Sequence, residues 1–346
     1  MNVKITFKFL FDTCLVVLIA ISMFYNQLLI YAIKMGKGQL HIVMNTRTID
    51  ECLKDAQFPD SLKRKLLLIQ EIRRYAIDSL GLNNSPNYRN VYDQRNKPAI
   101  WVLTACEPFD LKVKGWKFPV VGLVPYKGFF KKEEAQQEQA ILLMDGYDTK
   151  LGTTSGWSTL GWFKDPILSN MLLQNEGNIA ELIIHELTHA TIFIKDNVQH
   201  NENLANFVGE TGARKFLLHR FGLNSIEYIR YLNQQQDELT YNNYILDGLK
   251  KLDSLYKSFN SQLSFHEKKE RKEKLILTIV LGVSDLKLHN KFRYFKVSRQ
   301  AITCKNAFFM EFARYDAQHD YFEQEFHKGA GGDIVKFINQ QKLQRY

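Results

Sequence analysis

The pentapeptide His185-Glu186-Leu187-Thr188-His189 constrains this chain more than any other feature, because its spacing implies both a helix and a metal site. His185 and His189 are four residues apart, so both imidazoles project from one face of an α-helix. Glu186 lies about 100° around that helix, where its carboxylate can reach a water on the metal without being a ligand. The motif therefore predicts a zinc site with its own general base.

A third metal ligand is expected from the sequence that follows. A catalytic zinc ion takes three protein ligands and leaves one position for water. The run Asn201-Glu202-Asn203-Leu204-Ala205 resembles the third-ligand motif of the gluzincin metallopeptidases, in which the glutamate completes a site with two histidines. This resemblance assigns the third ligand to Glu202.

The spacing between His189 and Glu202 allows such a site to close. The twelve intervening residues are fewer than in the best-known gluzincins. The first helix is expected to end about one turn and a half after His189, and residues 195–200 can span on the order of 20 Å, which brings a second helix back antiparallel. Glu210, two turns further along the second helix, is the competing third ligand. A buried helix whose histidines are hydrogen-bonded is the alternative for the whole group.

Most of residues 38–340 resembles the bacterial putative zinc aminopeptidase family. The stretches that carry the resemblance are Gly38-Gln39-Leu40, Pro59-Asp60-Ser61-Leu62, Gln70-Glu71-Ile72-Arg73-Arg74-Tyr75, Pro119-Val120-Val121-Gly122, Tyr126-Lys127-Gly128-Phe129-Phe130, the run from Ser158 to Pro166, and the block from His185 to Leu217. The resemblance implies a zinc-dependent peptidase with one zinc ion per chain, acting on peptide or protein substrates.

The remaining pattern predicts a helix-rich α+β, zincin-like fold with a small sheet before the motif helix. Asp60 is expected to cap a helix that stops near Gly81. The apolar runs 99–104 and 118–124 predict strands, and residues 133–144 predict a helix. Beyond residue 222 the chain is mostly helical, with apolar residues between 245 and 263 spaced for one long amphipathic helix and a short buried helical segment at 275–283.

Three features are candidates for contact with a substrate. Residues 153–162 suit an exposed strand that could pair with an extended peptide, although their tryptophans could equally fill the core. Tyr315 is a candidate catalytic residue, with a core tyrosine as the alternative. Glu181, one turn before His185, can orient that imidazole or bind a substrate amine, and an exposed carboxylate near a helix start is equally consistent.

The charge of the chain does not indicate a nucleic-acid partner. The net charge is +9, but the basic residues are scattered rather than gathered with aromatic residues into a recognisable module. In the densest cluster, residues 268–274, lysines and an arginine alternate with Glu270 and Glu273, as on a solvated helix face.

The amino terminus predicts a membrane anchor. Residues 13–33 are apolar apart from three polar residues and would extend about 31 Å as a helix, close to the thickness of a bilayer core. A cleaved signal peptide is the competing interpretation, but no Ala-x-Ala-like site follows. We therefore expect a signal anchor at 1–34 and a zinc metallopeptidase domain at 35–346. Because members of the family it resembles tend to begin with export signals, that domain is expected on the extracytoplasmic (periplasmic) side.

Taken as a whole, the sequence predicts a membrane-tethered zinc peptidase, with aminopeptidase activity favoured. His185, His189 and Glu202 are expected to hold the metal, and Glu186 is expected to act as general base. Two alternatives remain open: a zinc endopeptidase of the cell envelope, and a non-catalytic envelope protein in which zinc braces two helices.

Overall fold

A computed structural model of the 346-residue chain describes residues 28–118, 122–153, 164–194, 197–315 and 319–343. The helices are residues 28–44 (α1), Ile49–Lys54 (α2), Asp60–Asp78 (α3), Lys132–Met144 (α4), Glu176–Thr191 (α5), Val198–Phe221 (α6), Ile226–Lys257 (α7), Phe265–Gly282 (α8), Lys291–Ser298 (α9), Gln300–Cys304 (α10), Asn306–Tyr315 (α11), His319–Gln324 (α12) and Ile334–Leu343 (α13). The strands are Thr46–Thr48 (β1), Asn90–Tyr92 (β2), Trp101–Cys106 (β3), Trp116–Phe118 (β4), Gly122–Val124 (β5), Lys127–Phe129 (β6), Asp148–Thr153 (β7) and Ile167–Leu168 (β8). The prediction of a helix-rich α+β fold is confirmed.

The described strands form three small sheets. In the first, β2 pairs antiparallel with β1 and parallel with β8, so that Val91 lies opposite Ile167. In the second, β3 is the central strand between β6 and β7, and both neighbours are antiparallel to it. The third is the hairpin of β4 and β5. The first sheet leads directly into α5 through β8, so the predicted small sheet before the motif helix is present.

The motif helix α5 lies at the centre of the largest hydrophobic core. It packs against α3 on one side and α6 on another, while α12 and α13 pack on α6. Ile183, Ile184 and Leu187 of α5 are fully buried in this core. The helix begins where the Asn175 side chain accepts a hydrogen bond of 2.9 Å from the Asn178 amide, which satisfies one of the free amides of the first turn. A rigid, buried helix therefore carries the motif.

A second helical layer forms around α7. Helices α8 and α11 pack against it and enclose a separate apolar cluster, and α11 also contacts β3 and β7. The Lys272 ammonium of α8 pairs with the Asp148 carboxylate at the start of β7, and both side chains are buried. This ion pair ties the second helical layer to the sheet of β3.

Several elements differ in their bounds from the sequence-based predictions. The apolar run 118–124 is not one strand, because Phe118 ends β4 and Gly122 begins β5 of a hairpin. The long helix expected to reach Leu263 ends at Lys257. Pro59 rather than Asp60 occupies the cap position of α3, without a side-chain cap. The motif helix ends at Thr191, sooner after His189 than expected.

The predicted anchor at 13–33 falls largely outside the described residues, which begin at 28 within α1. Of the helices in the described part of the chain, none combines the length and apolar character needed to cross a bilayer. The proposed substrate strand at 153–162 also lies outside the described residues, apart from Thr153 at the end of β7.

Candidate metal centre

The two histidines of the motif meet Glu202 between helices α5 and α6. The Nε2 atoms of His185 and His189 are 3.1 Å apart. The Glu202 carboxylate reaches both, with Oε2 at 3.7 Å from His185 Nε2 and Oε1 at 3.5 Å from His189 Nε2. The structure therefore brings together the three side chains that the sequence selected as ligands.

The spacing of these donor atoms matches what a tetrahedral zinc site requires. Nitrogen and oxygen ligands at about 2.0–2.1 Å from a tetrahedral zinc ion lie about 3.3 Å from one another. The three donor atoms lie within 4.8 Å of one another, and the measured separations are close to the expected value. Two imidazoles and one carboxylate are also the ligand set of several catalytic zinc sites. The residues present therefore fit a zinc ion.

The antiparallel packing of α5 and α6 creates this arrangement. The α6 helix starts after Asn197, whose side chain accepts a 3.3 Å hydrogen bond from the His200 amide, so Glu202 lies one turn into the helix. Two turns later, Gly209 passes so close to α5 that an added Cβ would lie 3.0 Å from the Glu181 carbonyl oxygen and 3.2 Å from His185 Cβ. A glycine at this position lets the two helix axes approach closely enough for the donors to meet.

The site is buried on one side and open on the other. The His185 and His189 side chains are 16% and 8% exposed, whereas the Glu202 side chain is 42% exposed. A metal bound to these residues would have its fourth position reachable from solvent, as a catalytic site needs. The Nδ1 atom of His189 is buried and has no hydrogen-bond partner among the described residues.

The electrostatic environment favours the ligand forms of two of these residues. Burial and the neighbouring His189 lower the pKa of His185 to about 4, so His185 is neutral at physiological pH and its nitrogen can coordinate. Burial favours the acid form of Glu202, but the contacts with both histidines outweigh it and lower the pKa of this carboxyl. Although burial acts against it, the Glu202 carboxylate raises the pKa of His189, as expected of a neighbouring anion.

Glu186 occupies a partly buried position beside the donors without being one of them. Burial raises the pKa of its carboxyl to about 7, and the charges of Glu202 and Asp165 act in the same direction. His189 and the Tyr88 hydroxyl oppose this rise. A carboxyl that titrates near neutral pH can both accept and release a proton, which is what general acid–base chemistry requires.

Tyr88 and Asp165 are neighbours of Glu186 that sequence reasoning missed. Both are almost completely buried, at 1% exposure each. The Tyr88 amide donates a 2.7 Å hydrogen bond to the Asp165 carbonyl oxygen, which extends the β2–β8 pairing towards the site. They lie about a hundred and about twenty residues before the motif in sequence, and no local pattern links them to it.

A second group of acidic side chains lies next to the metal centre, around Glu181. The Tyr231 hydroxyl donates a 2.9 Å hydrogen bond to Glu181, and Glu210 of α6 lies beside the same tyrosine. Burial raises the pKa of Glu181 to about 7, and the charge of Glu238 adds to this effect. Glu210, the competing third ligand, is not within reach of both histidines, so among the described residues Glu202 is the carboxylate that completes the group.

His200 lies two residues before Glu202 in the sequence, and its side chain packs edge-on against Phe322 at 5.3 Å between ring centroids. Tyr315 is the last helical residue of α11, and its side chain lies outside the part of the chain that the structure describes. Its predicted catalytic role therefore stays a prediction.

Comparison with known proteins assigns the chain to a family. No curated protein and no solved structure matches the chain. A family model described as "Putative aminopeptidase" matches residues 30–345, which includes α5, α6 and every residue of the metal centre. Since the match covers nearly the whole sequence, the chain belongs to this family.

Proposed function

We propose that this protein is a zinc-dependent aminopeptidase, in which His185, His189 and Glu202 hold one zinc ion. The observation that carries the proposal is the meeting of these three donors at the spacing of a tetrahedral site, with Glu186 beside them. The family match supports a peptidase at a coarser level, without specifying the metal.

Glu186 would carry out the proton transfers of hydrolysis. When bound, the zinc ion supplies Lewis acidity towards a water molecule and towards the scissile carbonyl group. The Glu186 carboxylate accepts a proton from the attacking water and then donates it to the nitrogen of the leaving amine. The partly buried position of Glu186 keeps its pKa near 7, so both directions of transfer are accessible at neutral pH.

An exopeptidase must also bind the free amino group of its substrate. The Glu181 carboxyl lies one turn before His185 on α5, and its pKa of about 7 leaves it only partly ionised at neutral pH. We assign the amine-binding role to this side of the site, since a substrate ammonium group would stabilise the ionised form and be attracted by it. The competing proposal is an endopeptidase with the same metal chemistry, which would not need a free amine.

The first test combines metal loading with paired substrates. Zinc-loaded protein is assayed with a panel of aminoacyl aminomethylcoumarins, the same compounds with acetylated amines, and internally quenched peptides. We expect turnover of the free-amine reporters and loss of turnover on acetylation. Turnover of acetylated or internal peptides at equal rates would favour the endopeptidase.

The second test replaces the proposed general base. Glu186→Gln should keep zinc and fold but lose at least about a hundredfold in kcat, because glutamine cannot accept and return the proton. The exposed residue Glu133 of α4 provides a matched control, since Glu133→Gln makes the same chemical change at a solvent-exposed position. Unchanged turnover in zinc-loaded Glu186→Gln would remove the proposed mechanism.

We further propose that the catalytic domain is held at the membrane on its extracytoplasmic side. This proposal depends on the apolar length of residues 13–33. Fractionation of cells should place the full chain with the membrane, and deletion of those residues should release it. Recovery of the full chain in a soluble fraction would contradict the anchor.

A further inference from the structure

The backbone of Tyr88 adopts a conformation that residues other than glycine rarely take. Its φ angle is +58°, in the left-handed region. An aromatic residue in this region is under strain, and such strain persists only where the surroundings fix it. Residues held in this way cluster at active sites, and Tyr88 lies beside Glu186.

The surroundings of Tyr88 do fix it. The buried Arg73 guanidinium of α3 donates hydrogen bonds to the carbonyl oxygens of Asn87 and of Ser85, the latter at 2.8 Å. Asn87 is in turn paired with Asp165: its side-chain oxygen accepts from the Asp165 amide at 3.2 Å, and its side-chain nitrogen donates to the Asp165 carboxylate at 3.4 Å. The backbone that leads into Tyr88 is therefore anchored to α3 and to the segment before β8.

This clamp holds a buried positive charge that makes no ion pair with a carboxylate among the described residues. Arg73 is 6% exposed, and burial together with the nearby Arg89 lowers its pKa to about 10. A charged side chain is costly to bury, and here it is stabilised by carbonyl oxygens of the loop that carries Tyr88. The free energy spent on burying the Arg73 charge is offset by these hydrogen bonds, which hold the loop in one conformation.

The Tyr88 hydroxyl lies next to Glu186, the proposed general base. It approaches the Glu186 carboxylate closely enough to affect its charge state, yet it does not reach the geometry of a full hydrogen bond with any described residue. A buried hydroxyl without a full partner is uncommon, because leaving it unsatisfied costs free energy. A hydrogen bond to the Glu186 carboxylate would satisfy this hydroxyl.

We propose that Tyr88 is a positioning residue for Glu186: its hydroxyl donates a hydrogen bond that holds the carboxylate in the orientation from which it accepts the proton of water. The inference rests on the proposed peptidase function. It adds to that function a tyrosine on the loop before β2, held by Arg73, which acts through Glu186.

One test of the interaction needs neither metal nor substrate. In metal-free full-length protein, the unfolding equilibria of Tyr88→Phe, Glu186→Gln and the double variant form a double-mutant cycle. Residues in contact couple, so we expect the double variant to differ from the product of the single effects by about threefold or more in equilibrium constant. Tyr241→Phe is the matched control, because Tyr241 is also buried with an unpartnered hydroxyl but lies in the second core. Additive effects at position 88 would overturn the proposal.

The kinetic test separates positioning from general stability. In zinc-loaded protein with the fastest reporter, Tyr88→Phe should lower kcat about tenfold or more, with KM and zinc content unchanged. In the Glu186→Gln background, the same substitution should leave kcat unchanged. An unchanged kcat in Tyr88→Phe alone, or an equal loss of kcat in the Glu186→Gln background, would overturn the proposal. If Tyr88→Phe does not fold, 3,5-difluorotyrosine at position 88 keeps the size and alters the hydroxyl acidity, and an unchanged kcat would then count against it.

The outcomes also distinguish this inference from the proposed function. If Glu186→Gln is inactive while Tyr88→Phe is as active as the native chain, only the positioning role fails. If zinc-loaded Glu186→Gln is fully active, the peptidase mechanism fails and the positioning role fails with it.

Discussion

At the scale of single residues, Glu181 shows how burial beside the metal centre changes an ordinary carboxyl. The side chain is held by the Tyr231 hydroxyl, which itself accepts a 3.1 Å hydrogen bond from Gln235. One hydrogen bond does not compensate fully for the loss of water around a carboxylate, so the pKa rises to about 7. The protonated form of Glu181 is therefore the one that folding favours.

This shift predicts a pH-dependent contribution to stability. The folded pKa of about 7 lies above the ordinary value of 4.5, so the contribution of Glu181 is complete below pH 4.5 and is lost as the pH rises through 7. In metal-free protein, Glu181→Gln should match the native chain at pH 4 and exceed its free energy of unfolding by ~1–3 kcal/mol at pH 8. Urea unfolding at both pH values measures this difference. Glu133→Gln serves as the exposed control, and an equal effect of Glu181→Gln at both pH values would contradict the prediction.

At the scale of elements, the pair of helices α5 and α6 determines whether the donors meet. At Gly209 the two helices pass close together, and an added Cβ there would meet the backbone of Glu181 and the Cβ of His185. A side chain here cannot be accommodated by moving a flexible group aside, because two of the nearest atoms belong to backbone. The helices themselves would have to separate.

Gly209→Ala should therefore weaken both packing and metal binding. We expect a loss of ~1–3 kcal/mol in the free energy of unfolding from overpacking, and about a tenfold loss in zinc affinity as His185 shifts relative to Glu202. Thermal unfolding and competition with a chromophoric chelator measure the two effects. Gly36→Ala is the control, because Gly36 is also helical but has no atom within 4 Å of the added Cβ. Equal zinc affinity in Gly209→Ala would contradict this account of the helix pair.

Elements with local signals could be predicted from the sequence, and contacts between distant segments could not. The motif helix begins at a capping residue, Asn175, and α4 is followed by Gly146 with a φ of +88°, so each helix has a signal within one turn of an end. The apolar spacing up to Leu263 overestimated the length of α7, because the apolar pattern continues through the turn that follows the helix. Phe259 packs into the second core from beyond the helix end, and Asn260 accepts the amides of the following turn.

The ligands of the candidate site were found by their motifs, whereas the residues around Glu186 were not. Glu202 carries a recognisable motif, although its contact with the histidines required folding to bring α6 back. Tyr88 becomes a neighbour of Glu186 only because β2 pairs in parallel with β8. A turn-rich run from Asn83 to Asn87 precedes it, but such a run indicates a loop and says nothing about what the loop contacts.

At the scale of the whole molecule, the buried pair of Lys272 and Asp148 joins the second helical layer to the sheet of β3. Asp148 also accepts a 3.0 Å hydrogen bond from the Asn306 amide, and Lys272 also donates 2.7 Å to the Pro108 carbonyl oxygen. Burial raises the pKa of Asp148 and lowers that of Lys272 in spite of their pairing. Each charge is therefore tolerated only because the other is present.

Breaking this pair should destabilise the fold without removing the metal. Lys272→Met leaves a buried, unpaired carboxylate, and we expect a loss of ~3–5 kcal/mol in the free energy of unfolding. The surface pair Lys250 and Asp247, with side chains 79% and 63% exposed, is the control, and Lys250→Met should cost no more than ~1 kcal/mol. Chemical unfolding measures both, with zinc content expected to be unchanged in the folded fraction. Similar costs for the two substitutions would contradict the structural role of the buried pair.

The central claim is that one zinc ion is held between α5 and α6 by His185, His189 and Glu202. The zinc content of purified, dialysed protein tests it most directly, measured side by side for the native chain, Glu202→Ala and Glu210→Ala. We predict one zinc ion per chain in the native protein and in Glu210→Ala, and a strong loss in Glu202→Ala, because two imidazoles alone do not complete the site. Full zinc in Glu202→Ala, or a loss in Glu210→Ala instead, would contradict the claim.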